Sequence, residues 1–144
     1  HLVVHVCILG SDGRMLIQQR QPFKHGFSNM WDVSAGGSAV AGETSAMAAM
    51  REVREEIGVT LDLDGVRPHY SVTYGEGFDD WYVVRTDPDI SSLKLQYEEV
   101  QAVRWATEEE VLAMIDSGVF IPYFKGYIST IFNTADQYGS IREN

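Results

Sequence analysis

From Gly36 to Val59 the chain reads GGSAVAGETSAMAAMREVREEIGV. Glycines followed by a run of good helix formers, closed by Gly58, restrict this stretch to loop, helix and stop. The spacing predicts a helix over Thr44–Ile57, with Thr44 and Ser45 as capping residues. Helical residues advance by ~100° each, so Glu52, Glu55 and Glu56 fall on one stripe. Ala46, Met50, Val53 and Ile57 fall on another, expected to pack against a sheet. Three carboxylates at neighbouring helix positions repel, and Arg51 and Arg54 offset part of that repulsion. One reading is a charged, solvated face. The glycine loop favours another. Backbone able to approach a ligand, beside clustered carboxylates, suits a hard divalent cation that bridges protein oxygens to a diphosphate.

The remaining sequence supplies a mixed α/β domain rich in antiparallel strands, spanning 1–144. Leu2–Leu9 and Arg14–Arg20 read as strands joined by Ser11-Asp12-Gly13. Residues 21–30 form a loop, with Pro22, Gly26 and Asn29 as punctuation, and Trp31–Ala41 holds short strand pieces. Strands are expected over Arg67–Tyr74, Phe78–Thr86 and Val100–Trp105. A second helix over Thr107–Ser117 opens with a Thr107/Glu110 capping box. A third, over Ile121–Gln137, has Pro122 near its start.

The net charge of −10 argues against a broad face for duplex nucleic acid, because phosphate neutralisation dominates such binding. It leaves room for a small anionic substrate if a metal supplies positive charge. No apolar run approaches the ~18–20 residues that cross a bilayer, so no membrane partner is expected. Cys7 is the only cysteine and lies in an apolar strand, which points to a buried thiol and a cytoplasmic setting. The chain opens on His1 rather than methionine and is read as N-terminally truncated.

Gly37, Glu43 and Arg51-Glu52-Val53-Arg54-Glu55-Glu56-Ile57-Gly58-Val59 keep the spacing of a known motif throughout. The segment resembles the Nudix box, and the surrounding order of elements resembles a whole Nudix domain. The resemblance implies an α/β/α sandwich with a mixed, largely antiparallel sheet. It further implies Mg2+- or Mn2+-dependent cleavage of a small-molecule diphosphate substrate. Carried over by position, Glu52, Glu55 and Glu56 would be metal ligands. Glu43 and Arg51 would pair to hold the loop on the helix, and Gly37 and Gly58 would serve backbone turns. A carboxylate near the metal is expected to take the proton of the attacking water. Glu55 is the first candidate, with Glu56 and Glu99 as further catalytic candidates. A homodimer is compatible with the family.

LIQQR (Leu16–Arg20), Lys24 and NMWDVSAGG (Asn29–Gly37) resemble the branch that contains isopentenyl-diphosphate isomerase. That isomerase uses a cysteine just before the box and a nearby histidine. Here Ser34, Ala35, Gly36, Gly37 and Ser38 stand instead, so a hydrolase is the first reading. Isomerase and a non-catalytic Nudix-fold binding module are the alternatives.

Other residues carry weaker expectations. Glu99 is read as metal ligand or base, against an exposed acidic turn. Arg20, Lys24, Gly36 and Gly37 are assigned to substrate binding, the two cations through charge-assisted bonds to phosphate. For His25, in its glycine-flanked loop, gating of the site is the lesser alternative. Tyr70, Tyr74, Trp81 and Tyr82 are read as core, with stacking on a base as the alternative. His5 and His69 are expected to be ordinary strand residues. The Tyr123, Phe124, Tyr127, Ile131 and Phe132 stripe is expected to pack the last helix down.

Overall fold

Strand β1 (Leu2–Leu9) organises the sheet in the computed structural model, which describes residues 1–142. One edge of β1 runs parallel to β6 (Gly77–Arg85), from Leu2↔Phe78 to Leu9↔Arg85. The other edge forks. Its C-terminal end pairs with β2 (Met15–Arg20) at Ile8↔Leu16 and Leu9↔Met15. Its N-terminal part pairs with β4 (Ala35–Ser38), from Val3↔Ser38 to Val6↔Ala35. Past the split, β2 pairs with β3 (Trp31–Asp32) on the same side and with β7 (Val100–Ala106) on the far side. Strand β5 (Tyr70–Tyr74) lies antiparallel to β6. The sheet is therefore mixed and largely antiparallel.

Side-chain alternation along β1 sends Val4, Val6 and Ile8 to one face and Cys7 and Leu9 to the other. Helix α1 (Ser45–Ile57) covers the first face with Ala48, Ala49, Val53 and Ile57. Helices α2 (Glu108–Asp116) and α3 (Lys125–Asn133) cover the second with Val111, Ile128 and Ile131. This is the α/β/α sandwich that the motif implied. A 13-residue helix is marginal alone in water, so α1 owes its stability to this packing. Thr44 caps it by accepting from Met47 N, and Gly58 ends it at φ 74°.

Several expected boundaries shift, each for a physical reason. Pro68 lacks the N–H a ladder needs, so β5 begins at Tyr70 rather than Arg67. The segment expected to open the last helix is extended instead. Phe120 bridges to Trp31, and Ile121 N donates to Trp31 O at 2.9 Å, which leaves the helix only Lys125–Asn133. The aromatic stripe there divides. Ile131 is buried, while Phe124 and Tyr127 are exposed. Gly36 and Gly37 lie in β4 rather than in a loop. The buried stripe of α1 is also rotated from the expected one: Ala46 and Met50 are only partly covered, and Glu56 lies among the buried positions. The Thr107/Glu110 capping box is present at the start of α2.

Candidate active site

That rotation of α1 carries Glu56 into the fork of the sheet. Glu56 is 7% exposed, and its Oε1 accepts from Gly36 N at 3.1 Å and from Gln18 Nε2 at 2.9 Å. Gln18 Nε2 also donates to Ser34 O at 3.0 Å. Ser34 sits at the split between β1 and β2. Its hydroxyl accepts from Ile8 N at 2.8 Å and donates to Leu16 O at 2.5 Å, satisfying ladder groups that the diverging strands leave open. The fork thus carries a buried polar chain from Ser34 through Gln18 to Glu56.

Glu52 lies one turn earlier, against β4. A Cβ on Gly37 would stand 2.6 Å from the Glu52 carboxyl carbon, so this approach requires glycine. Arg51 collects the acids beside it. Its Nε meets Glu43 Oε2 at 2.7 Å and its Nη2 meets Glu43 Oε1 at 3.0 Å, a two-point pair joining the 39–44 turn to α1. Its Nη1 reaches Glu52 Oε1 at 2.9 Å and Glu55 Oε2 at 3.2 Å. Glu55 is the open member of the set, with a side chain 46% exposed.

The electrostatics follow from these contacts. Burial pushes the Glu56 carboxyl well above the usual range, and the Glu52 charge adds to this; Gly36 N–H and Gln18 pull the other way. Burial also raises Glu52, against the pull of Arg51. Arg51, and after it Val40 N–H, hold Glu43 below its ordinary value. Glu43 in turn pushes the Arg51 guanidinium up.

Glu52, Glu55 and Glu56 line one pocket of about 420 Å³. Gly36 and Gly37 contribute to the same wall, Arg20 joins it from the end of β2, and Lys24, Gln96 and Glu99 line it from two loops. Arg20 Nη2 donates to Gly26 O at 3.3 Å, while its buried Nε has no partner among the described residues. His25 is exposed and outside this lining. With Arg51 and Gln18 holding them, the carboxylates do not converge: among the described residues, no three His, Cys, Asp or Glu side chains form a group ready for a metal. Their chemistry nevertheless fits a hard cation. The donors are all oxygens, and Glu52 and Glu56 are carboxylates whose charge is disfavoured by burial, with the Glu52 charge adding at Glu56, a penalty a cation would relieve.

The aromatic residues of β5 and β6 do not share one surface. Trp81 stacks on His5 with ring centroids 4.1 Å apart, on the α3 side. Tyr82 is buried on the α1 side and donates to Ser45 Oγ at 2.9 Å. His69 precedes β5, and among the described residues its buried ring Nε2 has no hydrogen-bond partner. Gln18 and Gln96 carry no site expectation from the sequence, and Ser34 carries only its place in the stretch where the isomerase cysteine would stand. The signal for Gln18 was a polar residue two positions after Leu16, on the inward register of β2.

The NUDIX domain family model matches residues 1–124. The chain belongs to the Nudix hydrolase family. A Listeria monocytogenes protein named as an uncharacterised Nudix hydrolase is 50% identical over 133 residues, covering 92% of this chain and 78% of that one. A crystal structure from Deinococcus radiodurans superposes with a TM-score of 0.71 at 30% identity, covering 94% of this chain and 83% of that one. More distantly, an isopentenyl-diphosphate delta-isomerase of Candida albicans is 27% identical over 167 residues, covering 87% of this Nudix chain and 58% of the isomerase.

Proposed function

We propose that this Nudix protein is a Mg2+- or Mn2+-dependent pyrophosphohydrolase that cleaves an organic diphosphate by water attack at phosphorus. The observation that carries the reading is the pocket itself. Four carboxylates (Glu52, Glu55, Glu56 and Glu99) line it together with three cationic side chains (Arg20, Lys24 and Arg51) and the Gly36–Gly37 backbone. When bound, the metal would supply positive charge to the phosphates and lower the pKa of the attacking water. Glu52, Glu55 and Glu56 are the residues that would hold it.

The chain's own groups divide the remaining work. Glu56 already accepts two hydrogen bonds and is fixed, which suits a holding role. Glu55 is the more open carboxylate and is placed to take a proton from water, with Glu99 across the pocket as the other acceptor. Arg20 lines the pocket, where its guanidinium is a donor for a phosphate oxygen. Gly37 keeps the wall thin enough for Glu52 to stand against it.

The isomerase alternative finds no proton carrier at the expected place. Ser34 is fully buried, with its hydroxyl engaged on both sides. Cys7 faces the α2/α3 layer, where burial pushes its thiol far above the usual range. The proposal includes a cytoplasmic setting, which a lone buried thiol suits.

The test incubates the protein with Mg2+ and a panel of nucleoside diphosphate derivatives plus isopentenyl diphosphate, reading products by mass spectrometry. A monophosphate product, lost in Glu55→Gln, is expected. Isomerisation of isopentenyl diphosphate would overturn the reading, as would magnesium binding with no turnover of any compound.

A further inference from the structure

We propose that Lys24 and Glu99 form a latch across the mouth of the pocket, opened when a substrate phosphate draws Lys24 away from Glu99. The proposal rests on the pyrophosphohydrolase reading and assigns a control to that site.

Two segments meet over the carboxylates. The first is the 21–30 loop, closed at its neck by Arg20 N donating to Met30 O at 2.8 Å. Phe27 and Asn29 take left-handed conformations, at φ 51° and 64°, to complete its turn. The second is the stretch before β7, tied to the end of α1 by Gln96 N donating to Glu56 O at 2.9 Å. Gln21 hinges them, its N–H donating to Glu99 O at 3.1 Å. Beyond the hinge the two jaws touch through side chains. Lys24 Nζ lies 2.5 Å from Glu99 Oε2, and the Phe23 and Tyr97 rings lie 5.6 Å apart. Among the described residues, neither the Lys24 ammonium nor the Glu99 carboxylate has another side-chain hydrogen-bond partner.

This arrangement makes the pair exchangeable. Both side chains line the same pocket as Glu52, Glu55 and Glu56, and both remain partly exposed, so the ion pair is weak and easily replaced. Arg51, by contrast, is held by three carboxylates and cannot be spared. Arg20, the third cation of the lining, donates to Gly26 O, so Lys24 is the one paired with a pocket carboxylate, on a flexible stem suited to following a phosphate. A phosphate that takes the ammonium leaves it paired with an anion throughout. The same exchange frees Glu99 to turn toward the carboxylate cluster. The fourth carboxylate then becomes available when a substrate is present and is neutralised when none is.

The latch sets opposite signs for its two halves. Methylene diphosphonate, a diphosphate that cannot be hydrolysed, would be titrated by calorimetry into wild type, Glu99→Gln and Lys24→Met, with thermal melts to confirm folding. Glu99→Gln removes the competing anion and is expected to tighten the probe, while Lys24→Met weakens it. Mn2+ alone is expected to bind Lys24→Met more tightly than wild type, and the gain disappears in the double variant. Each change should be about two- to five-fold, the size a partly exposed ion pair supports. Probe affinity unchanged or weakened in Glu99→Gln, with Glu99→Ala agreeing, would overturn the latch. So would Mn2+ affinity that does not rise in Lys24→Met. These are binding readouts. If they appear while wild type hydrolyses no diphosphate, the hydrolase reading falls and the latch stands; hydrolysis without these shifts gives the reverse.

Discussion

Gln18 donates its side-chain amide to Glu56 Oε1 at 2.9 Å from the floor of the fork where β1 and β2 part. Both residues are buried, at 4% and 7% exposure, so Glu56 depends on this donor and on Gly36 N–H in place of water. Gln18→Leu removes one of the two. The expected loss of stability is about 1–3 kcal/mol, the penalty for an under-satisfied buried acceptor. Gln18→Glu keeps the shape but sets a second carboxylate against Glu56, and should be worse than leucine at neutral pH. Urea unfolding of the two variants tests the order; the reverse order would show that Glu56 does not carry its charge there.

Gly37 answers a different need, since its missing Cβ is what lets Glu52 stand against β4. In Gly37→Ala the added carbon would lie 2.6 Å from the Glu52 carboxyl carbon. The carboxyl end of a flexible side chain yields more readily than a strand, so Glu52 should move and the sheet should not. Turnover is expected to fall about ten-fold or more, equivalent to ~1.4 kcal/mol in the barrier, with a small change in Tm. A large fall in Tm with turnover retained would place the strain in the backbone instead.

The helix α1, its caps, its box acids and the strand pairs were legible because each rests on local signals: periodicity, turn residues and a fixed spacing. The Glu43 and Arg51 pair was an expectation from the resemblance to the Nudix box and not from these local signals. What could not be read was long-range. The fork in β1 depends on which strands diverge, so nothing local marks Ser34, in a stretch of short strand pieces, or Gln18, inside LIQQR, as buried polar partners. The rotation of α1 likewise follows from packing against Val4, Val6 and Ile8, which buries Glu56 while leaving Glu55 open. The start of α3 was misread because Phe120 and Ile121 spend their backbone groups on Trp31, a partner about 90 residues away.

Metal dependence should appear in stability as well as in turnover. Glu52 and Glu56 are carboxylates raised by burial, with the charge of Glu52 adding at Glu56. A cation that binds only the folded form adds RT ln(1 + [L]/Kd), about 2.7 kcal/mol at 100 times Kd. Adding Mg2+ to chelator-treated protein should raise Tm, and Glu52→Gln or Glu56→Gln should lose the increment. Metal-free Glu56→Gln should also melt above metal-free wild type at neutral pH, because the amide has no ionisation for burial to oppose. An undiminished Mg2+ increment in both variants would place the metal elsewhere.

The acid limb of stability should belong partly to Glu43. Its carboxyl is held low by Arg51 first and by Val40 N–H second. A depressed folded pKa means the unfolded chain takes up protons first as pH falls. The stabilisation is therefore full above the ordinary glutamate pKa of ~4.3 and is lost as pH drops through the folded value. Glu56 has the opposite sign: its raised pKa makes the metal-free protein lose stability as pH rises from that range toward its folded value. Wild type should thus melt above Glu43→Gln at neutral pH, and the gap should close as pH falls below the carboxylate range. Arg51→Lys keeps the charge but loses the two-point geometry at Glu43, so it should reproduce part of the neutral-pH loss. Thermal melts across pH for these two variants measure this directly. A gap that stays constant into strong acid would mean that Glu43 acts through the shape of the 39–44 turn and not through its charge on Arg51.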